Sequence, residues 1–253
     1  MTVHFVGAGP GAADLLTVRA TRLLAAADTV LYPGTYLDPG VLAHVSPDAQ
    51  LIDTQDLDLD EISGHLISAH RAGQEIVRLA SGDLSVYSAL SEQTRRLDAA
   101  GIPWDVTPGV PAYAAAAARV GRELTVPLLA QSVVLTRAQA RSTAMPETES
   151  LAAFAATKAT LVLHLAITKT RSLMAELLPA YGADCPVVIV YRASQPDELV
   201  LRGTVASIAD AVEQAGLRQA AVILVGPALD PRPGGDSYLY APSRDRTAKR
   251  GEP

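Results

Sequence analysis

The sequence predicts an α/β protein built as two successive domains, the first around a mostly parallel sheet. Three observations carry this. Strand-like and helix-like segments alternate through the first half, glycine-centred turns follow several of the strands, and the alternation restarts after a break near residue 121. A chain of 253 residues is long enough for two domains of ordinary size. Apolar residues make up 49% of it and aromatics only 4%, so the core is packed from Ala, Val and Leu and needs no disulfide or structural metal.

The first strand, 3–6, runs into Gly7, Ala8, Gly9, Pro10 and Gly11, and a helix is expected over 13–26. Strands at 29–32, 50–53, 76–80 and 104–107 then alternate with helices near 38–45, 59–72 and 86–100. In 59–72 the residues Leu59, Ile62, Leu66 and Ile67 share one face. Gly73 and Gly101 supply helix stops. A helix at 111–120 completes an N-terminal domain, 1–120, and 121–131 is read as a linker. The second domain, 132–240, opens on a strand at 132–136. Strands at 160–165, 187–191, 198–203 and 220–225 follow, with helices at 150–157, 169–180 and 205–215. The segment between the strands 187–191 and 198–203 is too short for a helical crossover, so the two must pair antiparallel and the second sheet is mixed. From Pro231 on the chain is rich in Pro, Gly, Arg and Asp, and 241–253 is expected to be a disordered tail.

Charge and cysteine usage narrow the class. A net charge of −6 argues against a nucleic-acid binder. The single cysteine, Cys185, excludes an internal disulfide and fits a reducing compartment. It precedes Pro186 and a strand, which reads as a structural thiol rather than a nucleophile. No segment resembles a signal peptide and the apolar runs fall short of a membrane span, so a cytoplasmic protein without membrane partners is expected. The five histidines are scattered, and His65 and His70 do not have the spacing of a zinc motif, so no metal site is expected.

Gly7, Gly9 and Ala12 fit the dinucleotide pattern G-x-G-x-x-G/A. Two details oppose that reading. Pro10 has no N–H to offer a pyrophosphate. The second strand ends in Tyr32, Pro33 and Gly34 where a ribose-binding acid is expected, and Asp28 lies before that strand. The turn suits a nucleoside-like ligand without a pyrophosphate, which leaves a nicotinamide-dependent oxidoreductase as the rival enzyme class.

Further turns lie just after strands, where open α/β sheets place ligands. Gly82, Asp83, Ser85 and Tyr87 follow the fourth strand, and Pro108, Gly109, Val110, Pro111 and Ala112 follow the fifth. In the second half His164 and Leu165 close one strand, and Tyr191, Arg192, Ala193 and Ser194 follow another. Each alone reads as an ordinary turn, Asp83 included, since Gly-Asp commonly caps one. Arg119, Arg122, Arg137 and Arg141 fall near the domain junction; each reads as a solvated residue at an element end, and together they suit a polycarboxylate ligand.

In order and placement these segments resemble the tetrapyrrole methylase family, over roughly residues 2–240. Leu31 to Leu37, Gly121 to Pro127, Leu135-Thr136-Arg137 and Tyr191 to Glu198 are similar to the branch of that family that methylates precorrin-4 at C-11. The resemblance implies a tetrapyrrole methylase fold with a ligand cleft between two α/β domains, S-adenosylmethionine as methyl donor, a tetrapyrrole substrate and a homodimer. It implies Pro10, Gly82, Asp83, Tyr87, Pro111, Ala112, Leu165, Ala193 and Ala220 as cofactor-facing positions. Asp83 is the candidate to accept a proton or polarise the substrate, and Arg137, Arg141 and Arg192 are candidates to anchor acetate and propionate groups. The chain departs from the family pattern at Leu84 (usually Pro), Pro111 (commonly a small hydroxyl residue) and Leu165 (often Met). A sister methylase acting at another ring carbon, action on the cobalt-bearing substrate, and a non-catalytic tetrapyrrole or nucleoside carrier are the alternatives.

Overall fold

In the first half every strand-to-strand connection carries a helix, and such connections leave the strands parallel. In the computed structural model, which describes residues 1–34, 37–138, 144–230 and 236–244, β1 (Val3–Gly7), β2 (Thr29–Tyr32), β3 (Gln50–Asp53), β4 (Ile76–Ala80) and β5 (Trp104–Thr107) form one sheet in the order β3-β2-β4-β1-β5. All of its pairs are parallel. Alternate residues of a strand face opposite sides, so each face collects its own core. Val6, Val30, Val77 and Leu79 pack on Ala20 and Leu24 of α1 (Val18–Ala26) and Val41 of α2 (Pro39–Leu42). Phe5, Leu31 and Ile76 pack on Ile62 and Leu66 of α3 (Leu59–Arg71) and Leu97 of α4 (Leu90–Ala99). Fully burying side chains of this size contributes about 1.5–3 kcal/mol each. α5 (Ala112–Val120) follows β5.

Local chemistry sets the helix ends. Asp58 and Glu61 form a reciprocal capping box at the start of α3. Gly73 and Gly101 take φ of 74° and 68°, and the next residues donate back, Gln74 N–H to Ala69 O at 3.1 Å and Ile102 N–H to Leu97 O at 2.9 Å. Both helices thus end in the glycine motif that satisfies their last carbonyls. Two expectations need correction. The helix placed over 13–26 begins only at Val18, after a 3-10 turn at Ala13–Leu15, because Thr17 caps it by accepting from Ala20 N–H at 3.1 Å. The helix placed over 86–100 begins at Leu90, since Tyr87 and Ala89 are left-handed, with φ of 55° and 54°.

The second sheet runs β6-β7-β10-β8-β9, from β6 (Val133–Arg137), β7 (Thr160–His164), β8 (Pro186–Tyr191), β9 (Leu199–Thr204) and β10 (Ala221–Val225). β6 and β7 are parallel, and β10 is antiparallel to both β7 and β8. Val205 N–H, just past the end of β9, donates to Cys185 O just before β8, so β8 and β9 pair antiparallel as the short connection requires. Leu161, Leu163, Ile189 and Ile223 pack on α7 (Thr170–Tyr181) and α8 (Ile208–Gln214), with α6 (Leu151–Ala155) contributing Ala155.

By internal contacts the chain divides into Met1–Arg119 with Arg192–Leu199, and Val120–Tyr191 with Val200–Pro253. The loop after β8 therefore groups with the first sheet. The tail from 245 on lies outside the described residues, as do Thr35 and Tyr36.

Candidate active site

At the carboxyl ends of β4, β1 and β5, three adjacent strands, the backbone is packed on itself. A Cβ on Gly7 would lie 2.7 Å from Gly109 Cα and 2.8 Å from Gly82 O. One on Gly109 would lie 2.8 Å from both Gly7 C and Gly7 O, and nearer still to Gly82 O. Such distances leave no room for any side chain, which is why glycine stands at both positions. Gly9 and Gly82 exchange backbone bonds of 3.1 and 2.8 Å, and Ala8 N–H donates to Ala80 O at 2.8 Å. A Cβ on Gly82 would sit 3.7 Å from Ala112 N and 3.9 Å from Pro111 Cα. Pro10, Gly82, Asp83, Pro111 and Ala112 are thus gathered at one sheet end.

Asp83 ties these loops together. One carboxylate oxygen accepts from Gly109 N–H at 2.8 Å; the other accepts from Ser85 N–H at 2.9 Å and from the Ser85 hydroxyl. Partial burial pushes its pKa up, but the bonds from Ser85, Gly109 and Leu84 outweigh that and hold the carboxyl below its ordinary value. A depressed carboxylate with both oxygens accepting is a weak proton acceptor and a strong tether.

The loop after β8 folds onto the first glycine turn. Ser194 Oγ accepts from Ala12 N–H at 3.0 Å, and Gln195 Nε2 donates to Pro10 O at 3.4 Å. A Cβ on Gly11 would overlap Gln195 Cγ. Ser194 N–H in turn donates to Glu198 Oε2 at 2.7 Å, and Glu198 is paired with Arg119. Arg119 is therefore spoken for by a carboxylate of its own unit. Ala193 is buried within this loop, and Arg192 pairs with Asp197 at 2.8 Å. The dinucleotide reading loses its geometry here: Ala12 N–H is occupied, Pro10 has none, and the first α-helix starts at Val18, too far along to aim its N-terminus at the turn.

In the second sheet the remaining expected residues also share one end. Leu165 follows β7, Ala220 precedes the antiparallel β10, and Arg137 is the last residue of β6, in register with His164. Leu165 and Ala220 both have left-handed backbone, with φ of 51° and 52°, and Leu165 is 67% exposed. Burial lowers the His164 pKa, which favours the neutral ring. Arg137 lines a cavity of about 390 Å³ together with Glu147, Glu149 and Glu176. Arg141 lies outside the described residues. Non-glycine residues at positive φ each store about 1–3 kcal/mol and cluster where function demands it. Tyr87, Leu165, Arg192 and Ala220 are four of the eight such residues among those described. Among the described residues, no group of three or more His, Cys, Asp or Glu is placed to hold a metal ion, and no helix is long and apolar enough to cross a membrane.

The model of the Tetrapyrrole (Corrin/Porphyrin) Methylases matches residues 2–209. The chain belongs to that family. The methylase is 52% identical, over 98% of its length and 99% of the relative's, to a protein of Rhodococcus erythropolis named precorrin-4 C(11)-methyltransferase. Its structure is similar to a cobalt precorrin-4 methyltransferase described as a cobalamin biosynthetic enzyme, with a TM-score of 0.88 and 41% identity over 91% of this chain and 96% of that one. It is also similar to uroporphyrin-III C-methyl transferase from Thermus thermophilus complexed with S-adenyl homocysteine, with a TM-score of 0.76 and 30% identity over 90% of this chain and 93% of that one.

Two features of the structure around the candidate site escaped sequence reading. The contacts of Ser194 and Gln195 with residues 10–12 span more than 180 positions and have no local signature. Arg78, by contrast, had a signal: it is a lone cation in the otherwise apolar strand Ile76, Val77, Leu79, Ala80.

Proposed function

We propose that this chain is a precorrin-4 C-11 methyltransferase that uses S-adenosylmethionine in cobalamin biosynthesis. The observation that carries the cofactor assignment is the charge of the glycine cradle. Residues 7–12, 82–87 and 108–112 contain no Lys or Arg, and their one ionised side chain is the Asp83 carboxylate, held charged by its hydrogen bonds. A phosphate-bearing nucleotide finds no counter-charge there, whereas a neutral nucleoside carrying a sulfonium does. When bound, S-adenosylmethionine would supply an electrophilic methyl group to the electron-rich ring carbon, the S–CH3 bond breaking to leave neutral S-adenosylhomocysteine and the methylated ring giving up one proton to water.

The chain's own contribution is binding and orientation. The packed backbones of Gly7, Gly82 and Gly109 hold their loops in one arrangement, with Pro10, Pro111 and Ala112 presenting backbone. Tyr87, in the first unit, presents partly exposed aromatic surface beside the same loops. Alignment of this kind is worth up to about 7–11 kcal/mol, and no covalent nucleophile is required. Asp83 serves as tether rather than base. Arg137 and Arg192 remain our candidates for the substrate carboxylates, Arg192 through the Nη groups that its Nε contact with Asp197 does not use. Replacing Arg192 by Ala is expected to raise the tetrapyrrole KM about tenfold, the loss of one charge-assisted contact, with the KM for S-adenosylmethionine unmoved in steady-state assays. An unchanged tetrapyrrole KM removes Arg192 from the site.

The deciding experiment supplies methyl-labelled S-adenosylmethionine and freshly generated precorrin-4, and maps the product by NMR. Label at C-11 is expected. Label at another carbon moves the chain to a sister step, and tight binding of both ligands without transfer makes it a carrier. The cobalt-bearing substrate, suggested by the cobalt precorrin-4 relative at 41% identity, is the second reading, and running both substrates side by side separates the two. The enzyme is taken to act in the cytoplasm, as its lone half-buried Cys185 suits, and as a homodimer, a point that sedimentation of the purified protein reads directly.

A further inference from the structure

Arg78 is a buried cation with no carboxylate partner among the described residues. It lies in β4, the middle strand of the first sheet, 9% exposed, and both of its bonds go to neutral oxygens. Nε donates to Gln93 Oε1 at 3.0 Å and Nη1 to Leu79 O at 2.9 Å. Burial lowers its pKa only to about 10, so it is charged at neutral pH. Gln93, 3% exposed on α4, passes the contact on, with its Nε2 donating to Ala89 O at 3.2 Å. The amide has one workable orientation, because guanidinium only donates and a carbonyl only accepts.

Ala89 is the residue that most needs this support. It is the N-cap of α4, yet it is left-handed and has no capping side chain. The first helical bond to its carbonyl, from Gln93 N–H, is long at 3.4 Å. Immediately before it come Tyr87, also left-handed, and Ser88, whose hydroxyl donates to Leu84 O at 2.6 Å. Left-handed backbone at two non-glycine residues persists only where neighbours over-determine it.

We infer that Gln93, oriented by Arg78, is a positioning residue that fixes the loop 82–89 and through it the cofactor-facing Gly82 and Tyr87. This rests on the proposed reading of that loop as part of the S-adenosylmethionine site. The relay gives the desolvated charge a task in the core: its donor holds Gln93 Oε1 and so keeps Nε2 turned toward Ala89 O, a hold that an apolar residue at position 78 would not supply.

Gln93→Glu separates positioning from structure. The carboxylate keeps an oxygen for Arg78 and gains opposite charge, but has no N–H for Ala89 O. The expected result is an unchanged or higher Tm, faster amide hydrogen exchange across 84–90, and a five- to tenfold weaker Kd for S-adenosylhomocysteine, the effect of roughly one lost hydrogen bond. The tetrapyrrole KM stays put. The double variant Arg78→Met with Gln93→Met removes both polar ends at similar volume and gives the same two loop readouts should the glutamate not fold. Parental exchange rates across 84–90, or parental S-adenosylhomocysteine affinity beside faster exchange, overturn the inference. A parent protein that binds no S-adenosylhomocysteine overturns the cofactor reading instead, and the exchange rates still decide whether the relay holds the loop.

Discussion

Gly109→Ala is expected to cost the first unit about 3 kcal/mol or more and to abolish methyl transfer. The new Cβ would meet Gly82 O and lie 2.8 Å from the carbonyl carbon and oxygen of Gly7. Those atoms belong to backbone pinned by strand and bridge hydrogen bonds, so no side chain can rotate away to make room. Overpacking of ordinary cores costs about 1–3 kcal/mol because neighbours yield; here the loop after β5 must lift off the backbone at the ends of β1 and β4. Urea unfolding of the variant beside Gly64→Ala makes the comparison clean. Gly64 sits within α3 with nothing within 4 Å of its missing Cβ, so alanine there is expected to add about 0.5–1 kcal/mol through helix propensity. Equal and small effects from both substitutions would show that the three-glycine contact is not tight.

Asp83→Ala is the second large effect, and it has a pH signature. The side chain holds Gly109 N–H and both donors of Ser85. Its removal leaves the partly buried Gly109 N–H without its acceptor and unties the exposed Ser85 donors at the point where the loops meet, for about 1–2 kcal/mol at pH 7. The folded-state pKa lies below the ordinary 3.8, so folding favours the carboxylate form. That contribution is complete above the unfolded value and disappears as pH falls through the depressed folded one. The parent is therefore expected to lose stability faster than Asp83→Ala on acidification below about pH 4, and the two curves converge in acid. Parallel curves from pH 7 to pH 2 would mean that Asp83 is not held as an anion.

Much of this architecture was legible because period and punctuation agree. Ile62 and Leu66 fall on the buried side of α3 and Ile67 packs partly against the same core, while Leu59 at the helix start is only half-buried; Gly73 and Gly101 stop their helices through the left-handed φ that glycine tolerates. The short connection after β8 forced an antiparallel pair. The misplaced helix starts at 13 and 86 share a cause. Both segments are helix-compatible in composition, but Thr17 captures one N-terminus and the left-handed turn at Tyr87 and Ala89 delays the other. The site was legible where its residues lie within a few positions of a strand end, as Gly82, Asp83 and Gly109 do. It was not legible where chemistry depends on pairings across the chain. Arg192, expected as an anchor for substrate carboxylates, and Arg119, read as a solvated residue suited with its neighbours to a polycarboxylate ligand, are each answered by a carboxylate of the same unit, Asp197 and Glu198. Spacing alone cannot show that.

The contact among Gly7, Gly82 and Gly109 also bears on how a ligand is greeted. Loops whose backbones touch with no side chain between them cannot fluctuate separately, so they are already ordered before anything arrives. Little conformational entropy is then surrendered on association, and affinity reflects contacts and desolvation instead of folding of the receptor. For an enzyme that must release a product differing from its methyl donor by a single methyl group, such a cradle exchanges one for the other without being rebuilt each time.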